Sequence, residues 1–168
     1  VGASYGGHGL ELHDLTVRLT GPAVLELQAM FCDDWHFEEG ELLDGDEIYP
    51  SPERTGEVLV QTLPSGPNYP TENYQRLVVS AIHAARRHVI ITTPYFVPDE
   101  AFLQAVETAV LKGVEIELVL PGKTDHPLVQ AASKAYFDEL LEAGVRIHMH
   151  HEGLLHAKTM TGEDEIAL

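Results

Sequence analysis

The chain has 168 residues, 44% of them hydrophobic and 7% aromatic, which suits one globular domain or a domain with a fragment of a second. Ten Lys and Arg stand against 27 Asp and Glu, giving a formal net charge of −17. This charge argues against a general nucleic-acid surface and against electrostatic adsorption to anionic lipid. The sequence has no apolar run long enough to cross a bilayer, and its single cysteine, Cys32, excludes an internal disulfide. Because the chain starts at Val1 instead of Met, we expect a piece of a longer protein, and the first residues lack the basic start of a signal peptide. We expect this piece to be soluble.

The first third of the chain predicts a strand, a helix and a linker. Residues 14–20 alternate between polar and apolar, as in a half-buried strand. Gly21-Pro22 then opens a helix whose apolar residues recur at helical spacing as far as Trp35. Residues 38–56 are acidic and contain Pro and Gly. We interpret them as a solvated linker and not as a cation site, since their carboxylates do not follow the spacing of an EF-hand loop.

From Glu57 onward, predicted strands alternate with predicted helices. Helices are expected from Thr71 to about Ala85, from Pro98-Asp99 to Gly113 and from Leu128 to Gly144. Strands are expected at 58–60, 88–96, 115–120 and 145–150, and 156–160 is expected to pair with 165–168 as a hairpin. Such alternation predicts an α/β fold, a layered sheet flanked by helices with right-handed crossovers.

Candidate ligand-binding residues follow the ends of the predicted strands. In open α/β sheets the ligand crevice lies beyond the carboxyl ends of the strands. Tyr95 follows one strand, and Lys123 and His126 follow the next. We therefore expect Tyr95, Lys123 and His126 to contact a substrate, although Tyr95 in the core and His126 as a helix cap are alternatives.

The most informative motif lies near the end of the sequence. His156 and Lys158 are two residues apart, so on an extended strand both side chains would leave the same face. An imidazole beside an ammonium suits a phosphodiester, because one group attacks or protonates while the other holds phosphate oxygens. An acidic pair, Glu163 and Asp164, follows after Gly162.

This arrangement resembles the His-x-Lys-x4-Asp motif of the phospholipase D superfamily, with Glu163 at the position of the motif Asp and Asp164 one place late. Further segments resemble the bacterial cardiolipin synthases of that superfamily. They are Val17 to Val24, Ile91 to Asp99, Leu120 to Val129 and Gly153 to Lys158. The resemblance implies a phospholipase D-like fold with two similar halves. Residues 1–37 would be the tail of the first half, 38–56 an acidic linker, and 57–168 the second half, cut short after its motif.

The resemblance also implies a mechanism and partners. A phosphatidyltransferase of this family joins two phosphatidylglycerols and releases glycerol through a phosphohistidine, without a metal or other cofactor. By this mapping His156 is the acid and base, Lys158 binds the phosphate, and Glu163 or Asp164 supports the histidine of the opposite half. The longer protein is expected at the bacterial cell membrane, held through an upstream segment. Loss of the partner half predicts a homodimer through the exposed apolar face.

Histidines close to the motif leave a metal site open as an alternative. His148, His150, His151 and His156 fall within nine residues, and imidazoles are common zinc ligands. Strand alternation, however, places His151 on the opposite face from His148 and His150. We predict no metal here.

Two further functions stay open from the sequence. In the first, a protein of the same fold hydrolyses its substrate, as a phospholipase or nuclease of the same superfamily. The acidic charge disfavours the nuclease. The second is a non-catalytic half-domain that binds lipid or protein. An active site should respond to Glu163→Asp, whereas a scaffold should not.

Overall fold

A computed structural model describes residues 11–66, 69–123, 127–163 and 166–168. The chain divides into two compact units, one formed by Val1–Leu15 with Gln75–Leu168 and the other by Thr16–Tyr74. The predicted boundaries at residues 37 and 56 concern the halves of a longer protein and stay a prediction.

The unit formed by residues 16–74 contains one long helix, α1 (Val24–Glu39), which ends at Gly40 in the left-handed conformation. The predicted helix is therefore confirmed. Around α1 the chain is irregular, and it is fixed by polar contacts: Glu26 accepts a 2.6 Å hydrogen bond from the Thr62 N–H, and the Thr20 and Thr55 hydroxyls are 3.0 Å apart. The predicted strands at 14–20 and 58–60 were wrong. Val58 and Leu59 are 86% and 95% exposed, and a strand needs a neighbour to satisfy its backbone.

The larger unit is built on a five-stranded sheet with the order β4-β3-β2-β6-β7. Its elements in chain order, after the short β1 (Leu12–His13), are α2 (Asn73–Ala84), β2 (His88–Thr92), α3 (Glu100–Leu111), β3 (Glu115–Pro121), α4 (Pro127–Lys134), α5 (Phe137–Ala143), β4 (Arg146–His150), β5 (Leu154–Leu155), β6 (Thr159–Gly162) and β7 (Ile166–Ala167). Strands β2, β3 and β4 are parallel, whereas β6 runs antiparallel to both β2 and β7. The α/β fold is thus confirmed. The terminal hairpin is also present, but its first strand runs over Thr159–Gly162 and not over 156–160.

Local chemistry explains where the helices of this unit begin and end. Asp99 caps α3 by accepting a 2.8 Å hydrogen bond from the Phe102 N–H, and Gly144, with φ 100°, ends α5 in the left-handed region that glycine enters without strain. The single helix predicted from Leu128 to Gly144 was wrong, because a turn at Ala135-Tyr136 separates α4 from α5. In the described part of the chain, no helix is both long and apolar enough to cross a membrane.

The core lies between one face of this sheet and helices α2, α3 and α5. Burial alternates along β3, where Ile116, Leu118 and Leu120 are buried and belong to the same apolar cluster as Ile82 and Val106. The opposite face of β3 carries Glu117 and is only partly covered. The sheet therefore derives its stability from one apolar layer, and polar functional side chains can lie at its edges and in its loops.

Truncation of Leu118 tests this layer. Leu118 is fully buried on β3, an interior strand of the sheet, so Leu118→Ala is expected to lower the free energy of unfolding by roughly 2–5 kcal/mol, through lost apolar burial and a residual cavity. Urea denaturation followed by circular dichroism measures the change. Leu111→Ala is the matched control, because Leu111 is 89% exposed and its loss should change stability by less than about 0.5 kcal/mol. Equal effects of the two substitutions would contradict the core as described.

Candidate active site

The strand register brings the His-x-Lys motif to the carboxyl end of the parallel strands. Thr92, the last residue of β2, pairs with Thr159, the first residue of β6. His156 and Lys158 lie just before β6, in the connection from β5, so they sit beside the segment that follows β2. The prediction that they belong to a continuous strand was wrong, since β6 begins only at Thr159. Their side chains nevertheless lie together.

His156 and Lys158 form the centre of this cluster. Lys158 Nζ lies 3.4 Å from His156 Nε2 and donates a 2.9 Å hydrogen bond to the His156 carbonyl oxygen. The Tyr95 ring stands edge-on to the imidazole, with 6.3 Å between ring centroids, and Lys158 Nζ is 5.8 Å from its centroid. An ammonium attracted to an aromatic ring is restrained in position. Tyr95 therefore forms one wall of the cluster.

Asp14 completes the cluster, and the sequence analysis did not identify it. Its carboxylate accepts a 3.1 Å hydrogen bond from His156 Nδ1. This hydrogen bond, together with a second from the Leu15 N–H, holds the pKa of the Asp14 carboxyl below its usual value. Because an ionised carboxylate only accepts, Nδ1 carries the proton, and when the ring is neutral its lone pair is on Nε2, 3.4 Å from Lys158 Nζ. The arrangement orients an imidazole for nucleophilic or acid–base work beside a fixed cation.

Glu163 lies at the other end of β6. Gly162 pairs with Val89 near the amino end of β2, so the four residues of β6 carry the chain roughly 13 Å away from the His156 cluster. The Glu163 carboxylate accepts hydrogen bonds from the backbone N–H groups of Arg86 and Arg87, the latter at 2.7 Å. These bonds, the first from Arg86, lower the pKa of Glu163. The structure thus ties Glu163 to the end of α2 and does not bring it to His156.

The other predicted site residues are placed as follows. Lys123 follows β3 at the same edge of the sheet as the cluster, and its side chain is exposed. His126 and Asp164 lie outside the described residues. His148 donates to Glu117 at 2.7 Å, and His150 is hydrogen-bonded to His13 at 2.9 Å. Within residues that the structure describes, no three or more His, Cys, Asp or Glu side chains are arranged to hold a metal ion.

Comparison with known proteins shows the family of the chain. Residues 78–168 match the family model described as "Cardiolipin synthase, PLD-like domain". The chain belongs to this family of phospholipase D-like proteins. It is 37% identical over 159 residues to cardiolipin synthase A of Pectobacterium carotovorum subsp. carotovorum (strain PC1) and 36% identical to that of Serratia proteamaculans (strain 568), matching 92% of this chain in each case. It spans about a third, 32%, of the length of these relatives.

Among solved structures, the chain is similar to Nuc of Salmonella typhimurium, a phospholipase D family member. The TM-score is 0.48 at 19% identity, covering 55% of this chain and 59% of Nuc.

The tautomer of His156 should depend on Asp14. In Asp14→Ala the carboxylate that holds the proton on Nδ1 is gone, so the share of the neutral ring protonated at Nδ1 is expected to fall, as measured from ring ¹⁵N chemical shifts at pH 8. The pKa of the Asp14 carboxyl is lowered in the folded state, so the Asp14–His156 contact is fully present above pH 3.8, the ordinary pKa of Asp. It is lost only as the pH falls through the lower pKa of the folded state. Asp33→Ala, an exposed change on α1, should leave the tautomer unchanged. An unaltered tautomer in Asp14→Ala would disprove the assignment.

Glu163 should matter for stability in a pH-dependent way. Because the pKa of Glu163 is lowered in the folded state, the carboxylate adds to the free energy of unfolding above its unfolded-state pKa near 4.5. This contribution disappears as the pH falls through the pKa of the folded state. Glu163→Ala is therefore expected to lower the urea midpoint at pH 7 and to differ less from the parent chain at pH 3. Glu107→Ala, which removes an exposed carboxylate from α3, serves as the control. A pH-independent loss in Glu163→Ala would contradict the role of its charge.

Proposed function

We propose that the chain is part of a phosphatidyltransferase that joins two phosphatidylglycerols into cardiolipin and releases glycerol. The observation that carries the proposal is the cluster of His156, Lys158 and Asp14, found in a chain of the cardiolipin synthase family. An oriented imidazole and a restrained ammonium suit a phosphodiester, whose negative oxygens need a cation and whose leaving alcohol needs a proton. The names of the relatives support the substrate class.

In the proposed reaction a histidine nitrogen of a second His-x-Lys set attacks the phosphorus of the first phosphatidylglycerol. The bond from phosphorus to the glycerol oxygen breaks, and protonated His156 delivers its proton to that oxygen, so glycerol leaves neutral. A hydroxyl of the second phosphatidylglycerol then gives its proton to His156 and attacks the phosphohistidine. The P–N bond breaks, the nucleophilic histidine is restored, and two phosphatidylglycerols have become cardiolipin and glycerol.

Each residue of the cluster has a distinct role in this scheme. His156 donates and then accepts a proton at Nε2, and Lys158 binds the phosphate oxygens. Asp14 keeps the other ring proton on Nδ1. Tyr95 lines the substrate position and restrains Lys158. We assign to Asp14 the support of the His156 imidazole. Support of the opposite half's histidine by Glu163 or Asp164, which the resemblance implies, stays a proposal, and we also assign Glu163 to the stability of the β6 end.

A second His-x-Lys set must come from elsewhere, since this sequence contains one. A longer protein that includes both halves would supply it, or a second copy of this chain would do so in the predicted homodimer. The substrate is a lipid in either case, so the longer protein is expected to act at the bacterial cell membrane.

A chimera tests the function directly. The matching 159 residues of the Pectobacterium cardiolipin synthase A are replaced by this chain, and the purified product is incubated with phosphatidylglycerol in detergent micelles. We expect cardiolipin and glycerol, and a loss of about 10²–10⁴-fold in rate with His156→Ala, the usual contribution of acid–base catalysis. The control His148→Ala removes a histidine that pairs with Glu117 outside the cluster and should retain the rate.

Three outcomes would overturn this proposal. A folded chimera that turns over no phosphatidylglycerol would disprove it. Phosphatidic acid and glycerol without cardiolipin would instead identify a hydrolase of the phospholipase D type. Full activity in the His156→Ala chimera would show that His156 is not the acid and base.

A further inference from the structure

Strand β1 delivers Asp14 to His156, yet β1 itself is held by little backbone pairing. It has two residues, Leu12 and His13, which pair in parallel with Leu154 and Leu155 of β5. Its backbone hydrogen bonds include those from the Leu154 N–H to the Glu11 carbonyl at 2.8 Å and from the His156 N–H to the His13 carbonyl at 2.8 Å. The Ala157 N–H also reaches the His13 carbonyl, at 3.3 Å. A two-stranded pairing of this length is marginal in water. Side-chain contacts must therefore contribute to holding β1 in place.

One side-chain contact connects β1 to the main sheet. His150, the last residue of β4, places Nε2 2.9 Å from His13 Nδ1, and the two rings meet edge-on with 4.9 Å between centroids. His13 directly precedes Asp14. The pair His13–His150 thus anchors the residue next to the carboxylate on a strand that is fixed in the five-stranded sheet.

We propose that the hydrogen-bonded pair His13–His150 is the positioning device that holds Asp14 against His156. Neither ring touches the reacting atoms, so both are positioning residues. The inference rests on the proposed function only in that it gives the Asp14–His156 contact a catalytic purpose.

The chemistry of the pair makes this device sensitive to pH. A hydrogen bond between two imidazoles needs an N–H on one ring and a lone pair on the other. The bond exists while at least one ring is neutral, and it is lost when both carry a proton, because both nitrogens are then donors on like charges about 3 Å apart. Acidification far enough to protonate both rings is therefore expected to release β1.

The surroundings of the pair combine apolar neighbours with ionisable groups of both signs. Across from His150 the register of β3 presents Pro121, and β5 presents leucines to β1. Of the described residues, the ionisable groups on segments adjoining the pair are Glu11 and Asp14 beside β1, Lys123 after β3, His151 and Glu152 after β4, and His156 after β5. Asp14 stays ionised between pH 8 and 5 because its pKa is lowered. A positive charge on His156 would only strengthen its attraction to this carboxylate, so loosening of β1 on acidification would have to come from elsewhere, as the His13–His150 pair predicts.

Hydrogen exchange of two amides measures the device without any turnover. The Leu154 and His156 N–H groups bond to β1, so their protection factors report whether β1 is docked. For the unaltered chain we expect a fall of about tenfold in both protection factors from pH 8 to pH 5, the size of one net hydrogen bond. The Val114 N–H, bonded to the Ala109 carbonyl in the core unit, should keep its protection and so exclude general unfolding.

Substitutions of His150 separate the hydrogen bond from the titration. His150→Leu removes the partner of His13, so the Leu154 and His156 amides should lose about tenfold of their protection already at pH 8. His150→Gln retains a hydrogen-bonding group without a titrating ring, so protection should persist and no longer fall at pH 5. The control His148→Gln changes an exposed histidine of the same strand and should behave like the unaltered chain.

The ring ¹⁵N shifts of His156 give a second readout that a purely structural role would not move. Release of β1 removes the Asp14 acceptor, so His150→Leu should shift the neutral His156 ring away from the Nδ1-protonated tautomer, whereas His150→Gln should not. Unchanged protection and tautomer in His150→Leu would overturn the proposal, as would an equal fall at pH 5 in His150→Gln. Both readouts are independent of lipid turnover, so an inactive chimera would count against the proposed function alone.

Discussion

The antiparallel pairing of β6 with β2 is the constraint on which the site depends. By pairing Thr92 with Thr159, it places the start of β6 beside the end of a parallel strand, and this register puts His156 and Lys158 at the edge where Tyr95 also emerges. The apolar layer of Ile116, Leu118 and Leu120 against the helices fixes that sheet rigidly. A one-residue slip of β6 would turn Met160 out of the core. Burial of Met160 on one face of the sheet therefore fixes where His156 and Lys158 lie at its edge.

What the sequence predicted well was local in character. The spacing of His156 and Lys158, the Asp99 cap and the β-branched density of β2 are patterns within a few residues, and each led to the correct element or cluster. The break between α4 and α5 could not be predicted, because no proline or glycine marks it and apolar residues continue at helical spacing across Ala135-Tyr136. The strand predicted at 58–60 has the right residue types, but strand propensity acts only where a neighbouring strand is available.

The candidate site was predicted in part, for a physical reason. Asp14 is 142 residues away from His156, and a contact of that separation leaves no trace in spacing or periodicity. Glu163 shows the converse: it is close in sequence, but the extended geometry of β6 carries it to the other end of the strand. Linear motifs thus predict which residue types belong together, whereas the direction of a strand decides which of them meet.

The long separation of Asp14 from His156 has a consequence for how the site comes into being and how it is lost. Contacts between distant segments close large loops and tend to form late in folding. The hairpin and the core are therefore expected to form before the Asp14 carboxylate docks against His156. The chain between the two residues includes Val58 and Leu59, almost fully open to solvent and hence to proteases. A single cut there would turn an intramolecular pairing into an association of two fragments, and dilution alone would then dismantle the site while the core remained folded.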